Sequence, residues 1–462
     1  MSDNTRFFLK NNLDKIVQKS AYNYCEIWSS EYPPIGLLKE KNISQKKIDQ
    51  IRNMNDVVLY IHVPFCSNNC DFCTVRPLYS LNSQKEAEDY VDCLCKEIKL
   101  LFGKNNKKRL SSVYIGGGTP TILGYKALEG LFIFLRQEFV LDKKTTFCIE
   151  STPKLINNNL ARILKENEIT RVSLGVQTFN KRILRCINRN QKLSEVYNAV
   201  NILKKHQIKN INLDFIFGLD PKEGFKSFLH DNYLAIKELK PNSIFLYQMQ
   251  NYYKHPDTIY NFQAKDISKI KNYIESNLSG ISVINALEVT TGLNLKKEES
   301  VKDKAKKNKS YGFLRFVKLT PVIACGFGGA SFVWLRDGTF FNMIRKEKRI
   351  EDYKKNLKNQ KIEYKGIALN KEESFRRYLV LNLLRGIDFS FLKDRFDKKV
   401  YNKLLSPINN YLEKKNNFLY LKNNYEKDLP IKTKNENVNY FIFTYLFLYS
   451  ESMKSKLKNW IN

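Results

Sequence analysis

Short apolar runs alternate with amphipathic stretches between residues 57 and 248. Six of these runs are rich in β-branched and aromatic residues and are predicted strands: 57–63, 112–116, 146–150, 171–176, 211–218 and 243–248. The stretches between them, such as AEDYVDCLCKEIKLLF, have the period of an amphipathic helix. Because the strands are apolar almost throughout, they predict a parallel sheet covered on both faces. The fold class is therefore α/β, with a partial (β/α)6 TIM-type barrel whose chemistry lies at the carboxyl ends of its strands.

The chain on either side of the barrel has a different pattern. Residues 1–55 have no clear period and are predicted to form an N-terminal extension, which begins with a polar segment unlike a signal peptide. Residues 56–335 hold the barrel core and a following glycine loop, ACGFGGASF, and residues 336–462 are predicted to form a small mixed, mainly helical domain. The longest apolar run, at 440–449, is about half as long as a membrane span and predicts a buried element.

Composition and charge limit the possible partners. The 462 residues include 78 Lys and Arg against 47 Asp and Glu, which gives a formal net charge of +31. The basic residues are spread along the whole chain and accompany no nucleic-acid-binding motif, so we do not expect a nucleic-acid partner. An anionic small molecule suits the charge equally well. The nine cysteines have no disulfide framework spacing, which favours a reducing cytoplasmic location.

Three cysteines follow the first predicted strand in the segment LYIHVPFCSNNCDFCTV. Cys66, Cys70 and Cys73 have C-x3-C-x2-C spacing, and the four histidines of the chain offer no pair to complete a structural zinc site. Three thiolates can instead bind three irons of a [4Fe–4S] cluster and leave the fourth iron open. Such an iron can bind a substrate or a cofactor. A zinc-binding protein is the alternative interpretation of the three cysteines.

The cysteine spacing, with Phe72 before the last cysteine, resembles that of the radical S-adenosylmethionine (SAM) superfamily. The segment YIHVPFC is similar to the oxygen-independent coproporphyrinogen III oxidase group within it, and the resemblance covers roughly residues 60–331. It implies that the open iron binds SAM and that cluster reduction releases a 5′-deoxyadenosyl radical. A second SAM, an electron donor such as flavodoxin or ferredoxin, and catalytic roles for Tyr60 and His62 are further implications.

The resemblance also implies which residues contact SAM. The loop YIGGGTPT after the second strand resembles the one that contacts the SAM amino group, through Gly117, Gly118 and Thr119. Glu150 ends the third strand and offers a carboxylate to SAM hydroxyl or amino groups. Residues on or after the later strands match those that contact a second SAM or its adenine side. They are Gln177 at the end of the fourth strand, Arg189 twelve residues after it, Asp214 within the fifth strand and Gln248 at the sixth. The alternative for two of these residues is a structural salt bridge between Arg189 and Asp214.

The motifs leave four activities open, of which three are enzymatic. Coproporphyrinogen III oxidases continue the cysteine run with another cysteine two residues later, whereas this chain has Val75. Haem ring-opening methyltransferases lack that cysteine and have a Gly/Ala-rich loop that ACGFGGASF resembles. C-methylation of a heteroaromatic compound or a natural product is the third possibility. We expect a tetrapyrrole substrate, with ring-opening methylation ahead of propionate decarboxylation.

The fourth activity is haem carriage by a chaperone. Chaperones of this group usually have almost no N-terminal extension, and they often have a histidine in the glycine loop. This chain has no histidine after His255, and its loop reads GGASF. We therefore place the chaperone function behind the tetrapyrrole enzymes.

Overall fold

The computed structural model describes most of the chain. The described residues are 8–9, 11–12, 32, 38–73, 75, 79–103, 108–220, 222–249, 264–285, 314–315, 318–384, 386–415, 418–422, 424–429 and 436–461. The lysine-rich segment 296–310 lies outside these residues.

Thirteen strands form one large sheet. They are β1 (Lys41–Asn42), β2 (Val57–Val63), β3 (Lys108–Gly117), β4 (Phe139–Val140), β5 (Thr146–Ser151), β6 (Arg171–Gln177), β7 (Ile211–Phe217), β8 (Ser243–Gln248), β9 (Ser282–Asn285), β10 (Val322–Cys325), β11 (Ala330–Trp334), β12 (Phe340–Arg345) and β13 (Tyr364–Gly366). A second sheet has three strands, β14 (Ile387–Asp388), β15 (Leu412–Lys415) and β16 (Phe418–Leu421).

The six predicted strands are β2, β3, β5, β6, β7 and β8, and they lie side by side in that order with parallel pairing. Two further parallel strands flank them, because β9 pairs with β8 and β10 pairs with β2. The prediction of an α/β fold with a parallel core is confirmed. Among the described residues no pairing joins β9 to β10, so the described strands show a partial barrel.

Helices connect the parallel strands and continue beyond them. They are α1 (Gln45–Arg52), α2 (Gln84–Phe102), α3 (Gly124–Glu138), α4 (Asn158–Glu166), α5 (Lys181–Cys186), α6 (Leu193–Lys205), α7 (Phe225–Leu239), α8 (Ala264–Asn277), α9 (Ile350–Lys358), α10 (Lys371–Asn382), α11 (Phe389–Arg395), α12 (Lys398–Leu405), α13 (Glu436–Phe447) and α14 (Glu451–Ile461). Ser83 caps α2 by accepting a hydrogen bond from the Glu86 backbone N–H, and Gly103 ends that helix at φ +82°.

The two faces of the parallel strands differ in burial. On β2, Val57, Leu59, Ile61 and Val63 face the helices and are fully buried. The alternate position Tyr60 is only partly buried and belongs to the opposite, concave face. On β5, β6 and β7 the partly buried residues also lie on this face, at Glu150, Gly175 and Asp214. One face therefore forms the core under the helices, while the concave face is available for a site.

The C-terminal part of the chain has its own hydrophobic core. Helices α10, α13 and α14 contribute to it, and the described residues of the N-terminal extension, Phe8, Leu9 and Tyr32, pack into the same cluster. The apolar run at 440–449 lies in and just after α13 and is largely buried, as predicted. No described helix combines the length and apolar character that a membrane crossing requires. The predicted domain bounds at 55 and 335 stay predictions.

Candidate functional site

The cysteine loop begins three residues after β2 and is fixed to the chain at several points. The backbone N–H of Cys66 donates to the Tyr79 carbonyl (3.3 Å), and that of Asp71 donates to the Ile187 carbonyl (3.1 Å). Within the loop, the Cys73 N–H donates to the Cys70 carbonyl (3.0 Å). All three cysteines are free thiols. The loop therefore lies at the carboxyl edge of the sheet, between the end of β2 and the segment that follows α5.

The three thiols form one electrostatic group with a guanidinium. Burial raises the pKa of Cys70, nearby negative charge on Cys66 and Cys73 raises it further, and the Arg189 guanidinium acts in the opposite direction. Arg189 Nη1 donates to Cys70 Sγ over 3.7 Å. A buried cation beside thiols stabilises their ionised, ligand form. This geometry suits a thiolate-bound metal cluster.

The donor set fits an iron–sulfur cluster better than one metal ion. In the part of the chain that the structure describes, no three His, Cys, Asp or Glu side chains are arranged to hold a single ion. A [4Fe–4S] cluster bonds each thiolate through a different iron, so its ligands do not surround one point. Three soft thiol donors are also the set that such clusters use. The assignment of Cys66, Cys70 and Cys73 as ligands stays a prediction.

The glycine loop after β3 is bonded directly to the cysteine loop. Gly118 N–H donates to the Val63 carbonyl (2.7 Å), and Thr119 N–H donates to the Phe65 carbonyl (2.8 Å). The Thr119 hydroxyl also lies 3.2 Å from Cys66 Sγ. Gly117 has φ +116°, and a Cβ there would lie 2.6 Å from the Val63 carbonyl oxygen. Glycine is required at this close approach, which places the loop beside the thiols.

Glu150 is linked to the same glycine loop. The Tyr114 hydroxyl donates to one carboxylate oxygen (2.5 Å), and the Gly117 N–H donates to the other (3.3 Å). Burial raises the pKa of Glu150 to about 7 in spite of these hydrogen bonds. The carboxylate is thus available to a cationic ligand, which would favour its ionised form.

A second carboxylate, Asp214, lies two strands away on the concave face. Ser173 donates to it (2.9 Å), as does the Asn212 side-chain amide (2.7 Å). Burial raises the pKa of Asp214 to about 6, whereas the Arg171 guanidinium lowers it. The alternative salt bridge with Arg189 is not formed among the described ion pairs.

The structure brings Gln177 and Arg189 together over Gly175. A Cβ on Gly175 would lie 2.9 Å from Gln177 Nε2 and 3.4 Å from Arg189 Nη2. Arg189 Nη2 donates to the Gly175 carbonyl. Gln177 has φ +70°, and the register between β6 and β7 shifts between Gly175 and Gln177, which redirects the side chain at the end of the strand. Asp214 pairs with Gly175 in the adjacent strand, so these predicted SAM contacts share one region.

Tyr60 and His62 lie next to each other on the concave face of β2. The Tyr60 hydroxyl is 3.2 Å from His62 Nδ1. Burial lowers the pKa of His62 to about 4, so the imidazole is neutral near pH 7. Gln248 ends β8 opposite Phe217, and its side chain lies outside the described residues.

Sequence reasoning missed several polar residues of the concave face. Tyr114, Arg171, Ser173 and Asn212 belong to it, and the last three each lie an even number of residues from a predicted site residue on their own strand, Gln177 or Asp214. The alternation of a strand could therefore have identified these three. The Arg171 Nε is buried and has no hydrogen-bond partner.

The central region of the chain is similar to known proteins. Residues 60–229 match the family model of the radical SAM superfamily. The haem chaperone HemW of Lactococcus lactis subsp. lactis is 33% identical over 160 residues, which are 35% of this chain and 41% of the relative. The oxygen-independent coproporphyrinogen III oxidase of Escherichia coli is 29% identical over 252 residues, which are 54% of this chain and 53% of the relative. The chain thus matches only about half, or less, of the length of these two curated relatives.

The solved structure of coproporphyrinogen III oxidase (HemN) from Escherichia coli has a similar fold. The two structures superpose with a TM-score of 0.60 over 87% of this chain and 94% of the other, at 20% sequence identity. At this level of sequence identity the similarity concerns the fold.

Proposed function

We propose that residues 60–229, which match the radical SAM family model, form a catalytic domain of the HemN/HemW group, and that the protein is an enzyme that methylates and opens the haem ring. The names of both curated relatives refer to haem or to coproporphyrinogen, which are tetrapyrroles. A net charge of +31 suits a substrate that carries propionate carboxylates. The proposal places the reaction in the reducing cytoplasm, with electrons from a flavodoxin- or ferredoxin-like donor.

Three groups of residues would hold the cluster and the first SAM. Cys66, Cys70 and Cys73 would bind three irons, while the loop at Gly117 and the Glu150 carboxylate would bind the SAM amino group and hydroxyls. When bound, the cluster supplies the electron that cleaves SAM. The loop YIGGGTPT after β3 is hydrogen-bonded directly to the cysteine loop. These bonds support the assignment, because they would hold the SAM contacts next to the open iron.

A second SAM would supply the methyl group. Gln177 and Arg189 meet over Gly175, and Asp214 lies in the adjacent strand opposite that glycine. Glu150 and Asp214 give the concave face two separate carboxyl groups, each suited to the cationic and hydroxyl groups of one SAM. Gln248 would contact the adenine side. This arrangement supports two SAM positions, which a radical methylation requires.

The observation that carries the choice of reaction is Val75. It lies two residues after Cys73 and is 44% exposed, at the position where the oxidase pattern requires a further cysteine. His62 favours the oxidase, since that group also has a histidine there. Because this cysteine is missing, we place ring-opening methylation first. Decarboxylation of coproporphyrinogen III is the second candidate.

Haem carriage is favoured by one specific observation, the identity with HemW relatives. The chain nevertheless has Gly328, Gly329, Ala330 and Ser331 where chaperones often have a histidine in the glycine loop. The loop therefore lacks the imidazole that chaperones often have there. Carriage therefore ranks below the enzymatic functions.

Product analysis of the reconstituted protein tests the proposal. The protein is incubated without oxygen with dithionite, SAM and either haem or coproporphyrinogen III. Release of 5′-deoxyadenosine and S-adenosylhomocysteine only with haem would support radical methylation. Deoxyadenosine with carbon dioxide, and no S-adenosylhomocysteine, would overturn it in favour of the oxidase. Neither product above background would mean haem carriage, if haem binds, or a methyltransferase for another substrate.

A further inference from the structure

A fully buried carboxylate lies behind the concave face, outside the residues discussed above. Glu97 on α2 is 0% exposed and is surrounded by side chains of the main hydrophobic core. A buried charge is costly unless hydrogen bonds and an opposite charge compensate it. Its partners therefore indicate what this residue does.

The two oxygens of Glu97 serve two different parts of the fold. Oε2 accepts hydrogen bonds from the Gly326 backbone N–H (2.7 Å) and from the Tyr353 hydroxyl (2.9 Å). Oε1 accepts from the Tyr364 hydroxyl (2.9 Å) and lies 3.7 Å from Arg345 Nη1. One oxygen thus holds the glycine-rich segment after β10, and the other holds the antiparallel strands β12 and β13.

Tyr90 contacts the same segment from the same helix. It precedes Glu97 by seven residues, which places both on one face of α2. Its hydroxyl accepts a hydrogen bond from the Phe327 N–H (3.1 Å) and donates one to the His62 carbonyl (2.7 Å). A single hydroxyl therefore joins the glycine-rich segment to the strand that carries His62.

The segment 326–329 packs directly on His62, and its glycines permit that contact. Gly326 has φ +102°, and a Cβ there would lie 2.2 Å from the His62 carbonyl oxygen. Cβ atoms on Gly328 and Gly329 would lie 3.4 Å from His62 Nε2 and 3.2 Å from His62 Cβ. Gly328 is exposed and His62 is partly buried, so the segment covers one side of His62 at the surface of the concave face.

We propose that Glu97 and Tyr90 are positioning residues that hold the segment 326–329 against His62 and so form one wall of the substrate site. The assignment of this wall to a tetrapyrrole site rests on the proposed function. The contact between the segment and His62 does not, and it can be tested without cluster, SAM or substrate.

Labelling of His62 with diethylpyrocarbonate, located by peptide mass spectrometry, tests the contact. In wild type we expect His62 to react slowly because the segment covers one side of its ring, whereas the exposed His230 reacts and serves as the internal reference. Tyr90→Phe removes both hydrogen bonds of the hydroxyl, and Glu97→Gln replaces one of two acceptor oxygens with a donor. Each should speed labelling of His62 about fivefold to tenfold.

Tyr364→Phe is the matched control. It removes a hydrogen bond from the Oε1 side of Glu97 but leaves Oε2 and the bond to Gly326 in place. We expect a lower melting temperature in this variant with His62 still protected. Unchanged labelling in Tyr90→Phe and Glu97→Gln, or equally fast labelling in Tyr364→Phe, would overturn the proposal.

A kinetic measurement tests the functional part. In the reconstituted enzyme, Tyr90→Phe should raise KM for the tetrapyrrole severalfold while SAM cleavage without substrate is unchanged. If Tyr90→Phe slowed tetrapyrrole turnover and substrate-free SAM cleavage by the same factor, the segment would not be a wall of the substrate site. If wild type turns over no tetrapyrrole, the proposed function fails, while the labelling result still decides the role of Glu97 and Tyr90.

Discussion

Arg189 Nη1 lies 3.7 Å from Cys70 Sγ, and the Nη2 of the same guanidinium donates to the Gly175 carbonyl. One buried cation therefore connects the cysteine loop to the end of β6. Gln177 lies over the same glycine. The proposed cluster site and the proposed second SAM site thus share a residue.

Loss of one cysteine should abolish the cluster. In Cys70→Ala we expect the iron and sulfide content of the reconstituted protein, and its visible absorbance that bleaches on reduction, to fall to background. Two remaining thiolates cannot hold a cluster that needs three. Cys186→Ala, which alters an exposed free thiol, is the control and should retain both properties. Retention of the cluster in Cys70→Ala would refute the ligand assignment.

The Arg189 cation should affect the cluster potential. A positive charge beside a thiolate favours the reduced, more negative cluster, so Arg189→Met should lower the midpoint potential. A tenfold loss in relative stability of the reduced form corresponds to about 60 mV. Redox titration followed by electron paramagnetic resonance (EPR) measures this shift. Arg182→Met is the control, because Arg182 is exposed and pairs with Asp220. An unchanged potential in Arg189→Met would contradict the account.

The stability effect of Glu150 should depend on pH. Its pKa is raised from 4.5 to about 7 by burial, so the folded protein binds a proton more tightly than the unfolded chain. Stability therefore declines as pH rises between about 4.5 and 7, by up to about 3 kcal/mol for this group. Glu150→Gln removes the ionisation and should become more stable relative to wild type as pH rises. Urea unfolding of the cofactor-free protein at several pH values measures this; a pH-independent difference would contradict it.

Gly117 should not tolerate a side chain. Its φ of +116° and the Val63 carbonyl oxygen, 2.6 Å from a Cβ, make Gly117→Ala strained. We expect a loss of about 1–3 kcal/mol in the free energy of unfolding. Gly130→Ala is the matched control, because this position inside α3 has open space around it and alanine favours the helix by about 0.5–1 kcal/mol. Equal effects of the two substitutions, measured by urea unfolding, would contradict the role of the glycine loop geometry.

The six central strands could be predicted because each is a local apolar run with its own helix. Strand β10 could not, since it pairs with β2 across more than 250 residues, and its last two residues belong to a segment whose sequence predicts a glycine loop. Long-range pairing of this kind depends on tertiary packing, so a local sequence pattern does not predict it.

The site was predictable in residue identity more than in geometry. Glu97 lies on the apolar face of a predicted helix, and a charge there was a signal that could have been noticed. The partners of Arg189 were not predictable, because the salt bridge to Asp214 and the contact with Cys70 suit its charge equally well. The positive φ of Gln177 depends on a register shift between neighbouring strands, which the sequence alone does not specify.

The most direct test of the central claim is EPR of the reduced, reconstituted protein with and without SAM. Three cysteine ligands leave one iron open, so we expect about four irons per chain and a spectrum that changes when SAM is added. SAM labelled with 17O at its carboxylate should show coupling to the cluster. An EPR spectrum that does not change when SAM is added, or zinc in place of iron in the protein, would contradict a SAM-binding [4Fe–4S] cluster.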